Sequence, residues 1–278
     1  MDKYILQVQC DDRTGLVQKI TNVLWQNKQN IISTHEFVEK ATNQFFMRAE
    51  FTGECYPQYI AGQLENLLPK QAHIAVNAYM PKKVILFASK EYHCPGDLLM
   101  RHHFGELNAQ ILAIVSNHRN LESLAGNFSI PYFYIPAENM NREEHEAEVL
   151  RTIEPYQADH LILAKYMRIL TPEFVAQYPQ RILNIHHSFL PAFIGANPYR
   201  QAYERGVKII GATAHIVSDD LDEGPIIAQD VTHVDHSYSW QEMRRQGREI
   251  EKRVLAKAVN LLLEDKVFIT GNKTIVFD

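Results

Sequence analysis

The chain has 278 residues but only three cysteines, Cys10, Cys55 and Cys94, and they lie far apart. No CxxC spacing occurs, so the sequence predicts neither a disulfide framework nor a zinc knuckle. An excess of positive charge is missing too, because 28 Lys and Arg residues face 33 Asp and Glu residues and give a formal net charge of −5. A nucleic-acid partner held by general electrostatics is therefore not expected.

Long apolar runs are also absent. No run approaches the roughly 20 residues of a membrane-spanning helix, and the start of the chain, Met1-Asp2-Lys3-Tyr4, lacks an apolar core of signal-peptide length. These features, with the scarcity of cysteine, predict a soluble cytoplasmic protein without a membrane partner. A hydrophobic content of 46% is typical of a globular protein, and the length favours two domains over one.

The first part of the chain predicts a small α/β domain. Residues 3–10 alternate apolar and polar side chains, as in a half-buried strand. Apolar residues then recur at the helical spacing i, i+4, i+7 and i+8 from Leu16. Two strand patterns, a second helix and a fourth strand follow, and a linker at 80–83 ends the unit. The order βαββαβ is that of a ferredoxin-like sandwich.

The turn Asp12-Arg13-Thr14-Gly15, which opens the first helix within this βαββαβ order, resembles the ACT domain, a small-ligand sensor and dimerisation module. The resemblance implies that residues 1–81 form a regulatory or oligomerisation domain and that the chain is a homo-oligomer. It further implies a small amino-acid effector bound near Asp12 and Gly15. From the residues alone, a ferredoxin-like domain that only assembles the oligomer explains the pattern equally well.

From residue 82 to residue 278, strand patterns alternate with helical patterns. Such alternation predicts a mostly parallel, Rossmann-like sheet covered by helices on both faces. Ligands of such sheets bind outside the carboxyl ends of the strands. No GxGxxG follows the first strand at 84–88, so a dinucleotide cofactor is not expected. A long helix at 240–264 and two strands at 267–270 and 273–277 end the chain.

Asn184 and His186 are the first candidates for catalysis. They lie two residues apart at the end of a predicted strand, so they share one face at its carboxyl end. An amide NH2 and an imidazole NH there can donate to one carbonyl oxygen. Such donors act most strongly when charge develops on that oxygen during nucleophilic attack.

An acidic loop, Asp219-Asp220-Leu221-Asp222-Glu223, follows the next strand. It lacks the spacing of a calcium loop, so the alternatives are a solvated turn or a carboxylate that orients or exchanges a proton with the imidazole. A metal site formed by His186, His187 and Asp222 is a further alternative. Adjacent histidines point to opposite faces of an extended strand, so we predict no metal site.

The string Asn184-Ile185-His186-His187-Ser188-Phe189-Leu190-Pro191, with Leu-Asp-Glu-Gly-Pro at 221–225, resembles the signature of enzymes that use 10-formyltetrahydrofolate. These include the glycinamide ribonucleotide and methionyl-tRNA formyltransferases. The resemblance implies that Asn184, His186 and Asp222 form the catalytic trio. Residues 165–174 are similar to the family's folate-pocket segment. The substrate-binding residues that this implies lie in that segment, just after it, and in the facing loop: Arg168, Ile169, Leu170, Val175, Ser218, Asp219, Asp220 and Leu221.

Within this group the chain departs from the transferases. Residues 87–97 read FASKEYHCPGD, with bulky and acidic residues where glycinamide ribonucleotide formyltransferases carry a Gly-Ser-rich phosphate loop. We also expect no carboxyl-terminal RNA-contacting domain, because the chain ends about one hairpin after its last helix. The stretches SKEYHCPGDLL, LAKYMRILTPEF and HHSFLPAFIGANPYRQAYERGVKIIGATAH resemble the formyltetrahydrofolate deformylase family over nearly the whole chain.

This resemblance implies a hydrolase that converts 10-formyltetrahydrofolate and water to formate and tetrahydrofolate and so supplies formate for purine biosynthesis. It implies no metal and no cofactor, with the folate as substrate. Asn184 and His186 would hold the formyl oxygen, and Asp222 would take the proton of the attacking water. Two alternatives remain: a formyltransferase that passes the formyl group to an amine, and a non-catalytic sensor of one-carbon units.

Overall fold

A computed structural model of the chain describes residues 2–192 and 198–278. The chain divides into two compact units. The first consists of Met1–Met80 together with Glu264–Thr270 and Ile275–Asp278, and the second of Pro81–Leu263 with Gly271–Thr274. The division near residue 81 lies where the linker was predicted. The sequence placed all of 264–278 in the second domain, and here the structure differs.

The first unit is an antiparallel four-stranded sheet with two helices. Its elements are β1 (Lys3–Asp11), α1 (Leu16–Gln26), β2 (Asn30–Glu39), β3 (Gln44–Thr52), α2 (Pro57–Glu65) and β4 (His73–Ala78). The strand order β2-β3-β1-β4 confirms the ferredoxin-like prediction. Alternation along β1 places Leu6 and Val8 in the core, against the apolar face of α1.

The second unit contains a mixed sheet of seven strands among the described residues, in the order β11-β10-β9-β8-β5-β6-β7. Its elements are β5 (Lys82–Ala88), α3 (His93–His103), β6 (Ala109–Ser116), α4 (Glu122–Asn127), β7 (Tyr132–Tyr134), α5 (Arg142–Ile153), β8 (His160–Leu163), α6 (Pro172–Val175), β9 (Ile182–His186), α7 (Pro198–Arg205), β10 (Ile209–Ile216), β11 (Ile226–His233) and α8 (Trp240–Leu263). Strands β5 to β9 run parallel, which confirms the mostly parallel prediction. Strand β10 runs antiparallel to both β9 and β11. The loop at 217–225 joins β10 to β11 without a crossover helix, as in other antiparallel pairs.

The hairpin of β12 (Val267–Thr270) and β13 (Lys273–Val276) ends the chain. Much of it belongs to the first unit because of Arg48, whose side chain is only 1% exposed. The Arg48 guanidinium donates to the backbone carbonyls of Glu264 and Asp265 at 2.7–3.2 Å. The ring of Phe268 also packs edge-on against Phe46 at a centroid distance of 5.7 Å. These contacts join residues distant in sequence, so hydropathy patterns did not reveal them.

Local sequence signals fix the helix starts that border the site. Thr171 caps α6, where its hydroxyl accepts from the backbone N–H of Phe174 and Pro172 occupies the first turn. Asn141 and Glu144 form a reciprocal capping box at α5.

Within the described part of the chain, no helix combines the length and apolarity needed to cross a bilayer.

Candidate active site

Asn184 and His186 lie on β9 as the alternation predicted. Strand β9 ends at His186, and β10 runs antiparallel beside it. In this register Asn184 lies opposite His215, and the Asn184 Nδ2 and His215 Nε2 atoms are 3.2 Å apart. Nδ1 of His215 donates to the carbonyl of Ile216 at 3.0 Å, because a carbonyl only accepts. That bond fixes the ring of His215, a residue that the sequence did not single out.

Asp222 meets both histidines from the loop after β10. Its Oδ2 is 3.2 Å from His186 Nδ1, and its Oδ1 is 3.5 Å from His215 Nε2. Asp222 has a φ of 58°, a left-handed conformation that Asp tolerates better than most residues. The trio predicted as catalytic therefore lies together, with His215 as a fourth member.

The electrostatics favour an ionised Asp222. Burial raises the pKa of its carboxyl, but the contacts with His186 and His215 outweigh burial and hold the pKa well below its usual range. An ionised carboxylate only accepts, so His186 donates from Nδ1. Nε2 of His186 is buried and has no hydrogen-bond partner among the described residues. This nitrogen is left for a substrate group or a water.

A cleft of about 320 Å³ opens beside these four residues. Its walls include seven of the eight predicted substrate-binding residues: Arg168, Ile169, Leu170, Ser218, Asp219, Asp220 and Leu221. Met167 and Ile169 are 61% and 49% exposed, so neither is the core residue that its apolar side chain would suggest. Exposed apolar side chains lining a cleft are suited to a flat aromatic ligand.

Val175 is the exception among the predicted substrate-binding residues. It lies on α6, is 8% exposed, and packs in the apolar cluster with Phe174 and Ile182 rather than in the cleft wall. The cap of α6 turns this helix into the core immediately after the cleft segment ends. Val175 therefore contributes to core packing and does not line the cleft.

The segment between β8 and α6 is held at both ends. Lys165 adopts a left-handed φ of 68° just after β8, and its carbonyl accepts from the N–H of Ser89. At the other end, the backbone N–H and hydroxyl of Thr171 donate to the Glu146 carboxylate. Between them, the Met167 N–H donates to the Ser89 hydroxyl at 3.1 Å. The apolar side chains of the segment are thus presented on a fixed backbone.

His187 does not lie where the sequence argument put it. We expected His186 and His187 on opposite faces of one strand, and this prediction is wrong because β9 ends at His186. The two rings stack at a centroid distance of 5.1 Å. Burial, together with the nearby Lys165 ammonium, lowers the pKa of His187 to about 3. Residues 193–197, within the motif run that begins at His186, lie outside the described residues.

The predicted effector residues lie at the start of α1. Gly15 has a φ of 90° and precedes the helix, and no described side chain caps this end. The Asp12 N–H donates to the carbonyl of Asn43 at 2.8 Å, which ties the turn to the β2–β3 connection. No described atom lies within 4 Å of a Cβ built on Gly15, so a larger residue would strain the backbone rather than crowd a neighbour.

Comparison with known proteins agrees with this geometry. Residues 82–259 match the model of the formyl transferase family, so the second unit is a formyl transferase domain. A formyltetrahydrofolate deformylase of Escherichia coli is 48% identical over 276 residues, which cover 99% of each chain. The structure of a formyltetrahydrofolate deformylase from Pseudomonas syringae has a TM-score of 0.96 at 40% identity and covers 100% of this chain and 95% of that one. The chain belongs to the formyltetrahydrofolate deformylase family.

The transferases match only part of the chain. The structure of glycinamide ribonucleotide transformylase 1 from Symbiobacterium toebii has a TM-score of 0.68 at 29% identity. It covers 72% of this chain and 95% of that one. The deformylases, by contrast, match the first unit as well as the second.

Proposed function

We propose that this chain hydrolyses 10-formyltetrahydrofolate to formate and tetrahydrofolate, and that the formate supplies purine biosynthesis. The observation that carries the proposal is the contact of Asp222 with both His186 and His215 beside the cleft. Membership of the deformylase family, over the full chain, supports water as the acceptor.

In the proposed reaction the formyl oxygen lies against the Asn184 amide and Nε2 of His186. The Asn184 amide has two N–H groups, so it can face His215 and still donate to the substrate. In its imidazolium form, His186 donates from Nδ1 to Asp222 and from Nε2 to the oxygen that becomes negative. Removing one such donor typically costs about 10²–10³ in rate.

The proton steps are assigned to the His186–Asp222 pair. Water bonds to the formyl carbon and loses one proton to the Asp222 carboxylate, the bond from carbon to N10 breaks, and N10 receives the Nε2 proton of the His186 imidazolium. The proton on Asp222 then returns to His186 through a water. No net proton is taken up by the enzyme. The low pKa of Asp222 makes this carboxylate a weak base on its own, so the proton that it takes up is returned within the same reaction.

The apolar and polar walls of the cleft are proposed to bind different parts of the folate. Exposed Met167 and Ile169 offer a surface for the pterin ring, and residues 218–221 form another part of the cleft wall. We propose that no metal ion and no cofactor takes part, because the pair supplies the proton steps and Asn184 the oxyanion contact. A chelator should leave the rate unchanged, and recovery of activity by added metal after chelation would contradict this.

We propose that the first unit binds a small amino acid and assembles the chain into a homo-oligomer. We also propose that the protein acts in the cytoplasm, without nucleic-acid or membrane partners. The N–H groups at the start of α1 suit a carboxylate, and Asp12 suits an ammonium group.

Common amino acids would be titrated against activity in the wild type and in Asp12→Ala, with the mass of the oligomer measured by light scattering. An effect in the wild type that Asp12→Ala weakens supports the site. If no amino acid changes the rate or the thermal midpoint of the wild type, the unit is a scaffold alone.

Formate release without any amine tests the main proposal. Purified full-length chain is mixed with 10-formyltetrahydrofolate, and formate and tetrahydrofolate are measured together. Equal amounts of both products are expected. If an added amine is required for tetrahydrofolate to appear, the chain is a formyltransferase, and if neither product forms while the folate binds, it is a sensor.

A further inference from the structure

Three buried polar side chains from different parts of the second unit converge on one buried carboxylate, that of Glu251. Glu251 on α8 accepts from the Lys165 ammonium at 3.1 Å, from His93 Nε2 at 2.7 Å and from the Tyr199 hydroxyl at 2.6 Å. Lys165 and Glu251 are 6% and 1% exposed. We call Lys165, Glu251, His93 and Tyr199 the buried charge cluster.

The cluster is built closely around Glu251. The Tyr199 ring packs directly against Gly247, which lies one helical turn before Glu251 on α8. A Cβ at position 247 would lie 2.1 Å from the tyrosine ring, so the glycine gives Tyr199 the space to reach the carboxylate. Burial raises the pKa of Glu251, but the Lys165 charge and the His93 contact outweigh burial and leave the pKa well below its usual range. A buried ion pair of this kind is poor evidence for stability, since apolar residues often fill such a space as well or better. Stability alone therefore does not account for the pair.

One member of the cluster, Lys165, lines two neighbouring clefts. The folate cleft is lined on one side by Lys165, Met167 and His187, and the same three residues line a second cleft of about 350 Å³. Glu251 and Tyr199 also line the second cleft. His187 stacks on the catalytic His186, so this wall is one ring away from the reacting group.

A molecule in the second cleft would attack a formyl group in the first across the wall that the two clefts share. In that reaction the amine nitrogen would bond to the formyl carbon, the bond to N10 would break, and N10 would take the proton that the amine loses. Water is the smallest acceptor and needs no second cleft to reach the formyl carbon. An amine is larger than water, so a closed wall hinders an amine more than it hinders water.

We propose that the Lys165–Glu251 pair determines acceptor specificity: it closes the passage between the two clefts, so that amines are excluded from the formyl group and water alone reacts. This proposal rests on the hydrolysis proposed above. It makes Lys165 a specificity-determining residue and assigns it no proton step.

A metal ion is a weaker interpretation of the same place. Ligand atoms of His93, Cys94 and Glu251 lie within 4.8 Å of one another. The Lys165 ammonium already occupies the Glu251 carboxylate, and its positive charge opposes a cation. Burial also raises the pKa of the Cys94 thiol well above its usual value, so the thiolate needed as a ligand is disfavoured.

The decisive variant opens the wall without leaving a buried charge. Lys165→Gly removes the whole side chain and suits the left-handed backbone at this position. Combined with Glu251→Gln, it leaves no unpaired carboxylate. Lys28→Gly is the matched control, because exposed Lys28 also has a left-handed φ, of 57°, but lies in the first unit.

Each protein is given 10-formyltetrahydrofolate and a fixed concentration of glycinamide, and N-formylglycinamide and formate are quantified by mass spectrometry against an enzyme-free blank. We expect the ratio of formamide to formate to rise at least about tenfold in the double variant and to stay at the wild-type value in Lys28→Gly. An unchanged ratio in a folded double variant that still releases tetrahydrofolate overturns the proposal.

If the double variant does not fold, as judged by its thermal midpoint, Lys165→Asn combined with Glu251→Gln is scored by the same criterion. Asparagine tolerates the left-handed backbone and is shorter than lysine. The wild-type arm separates this proposal from the proposed function. Absence of formate from the wild type without amine contradicts hydrolysis itself, whereas an unchanged product ratio contradicts only the role of Lys165 and Glu251.

Discussion

Asp222 Oδ2 lies 3.2 Å from Nδ1 of His186, and this contact joins the loop after β10 to the end of β9. It places a carboxylate that stays ionised against the imidazole that faces the cleft. The two residues are 36 positions apart, and the antiparallel pairing of β9 with β10 brings their strands side by side. The pair is the centre of the proposed chemistry.

Replacing this carboxylate tests the pair. Asp222→Asn keeps the shape but can neither stabilise a His186 imidazolium nor take up a proton, so kcat is expected to fall about 10³-fold. Binding of the folate, measured at equilibrium, should stay within a few-fold of the wild type. Glu223→Gln is the control, since Glu223 is the exposed neighbour outside the cleft wall. Near-normal turnover in Asp222→Asn would rule out the assignment.

His215 is expected to act by positioning Asn184 and Asp222. His215→Phe removes a contact that lowers the pKa of Asp222, so the pKa of that carboxyl should rise. The acid limb of the pH profile of kcat/KM should then move to higher pH, besides a loss of rate. A rate loss with an unmoved acid limb would show that His215 only supports the fold.

Ile169 and Val175 separate binding from packing. Ile169 lines the cleft and is about half exposed, so Ile169→Asp should raise KM and leave the thermal midpoint nearly unchanged. Val175 lies in the core, so Val175→Ala should destabilise the protein by about 1–3 kcal/mol with an unaltered KM. Steady-state kinetics and urea denaturation measure the two effects. The opposite pattern would return Val175 to the folate pocket.

Buried His187 should make stability depend on pH. Its pKa is lowered to about 3 in the folded chain, against about 6.5 when unfolded. The unfolded state therefore binds the extra proton between these values, and stability falls as pH drops below about 6.5. At pH 5 the loss from this residue is about 2 kcal/mol. In His187→Gln, urea denaturation at pH 7.5 and pH 5 should show a pH dependence smaller by that amount, and an equal dependence in both proteins would contradict it.

Local patterns predicted most of the fold. Alternation along β1 and the helical spacing from Leu16 are set by neighbours in sequence, and so is the shared face of Asn184 and His186. Such patterns need no knowledge of the partner strand. The order of elements then restricted the topology to a ferredoxin-like unit followed by a mostly parallel sheet.

The rest depends on contacts that local patterns do not encode. His215 faces Asn184 only because of the register of β9 with β10, and no motif marks it. Lys165 and Glu251 meet across 86 positions, and each alone looks like an ordinary charged residue on a surface. Arg48 binds carbonyls more than 200 residues away, which places much of the final hairpin in the first unit. Val175 was misplaced because the turn into α6 carries it from the cleft to the core.

The source of the oxygen in formate tests the central claim most directly. The reaction is run in water labelled with ¹⁸O, without any amine, and the formate is analysed by mass spectrometry at early times. Hydrolysis at the formyl carbon predicts one labelled oxygen in each formate and an equal amount of tetrahydrofolate, both lost in Asp222→Asn. Formate without the label, or tetrahydrofolate formed without formate, would contradict the account.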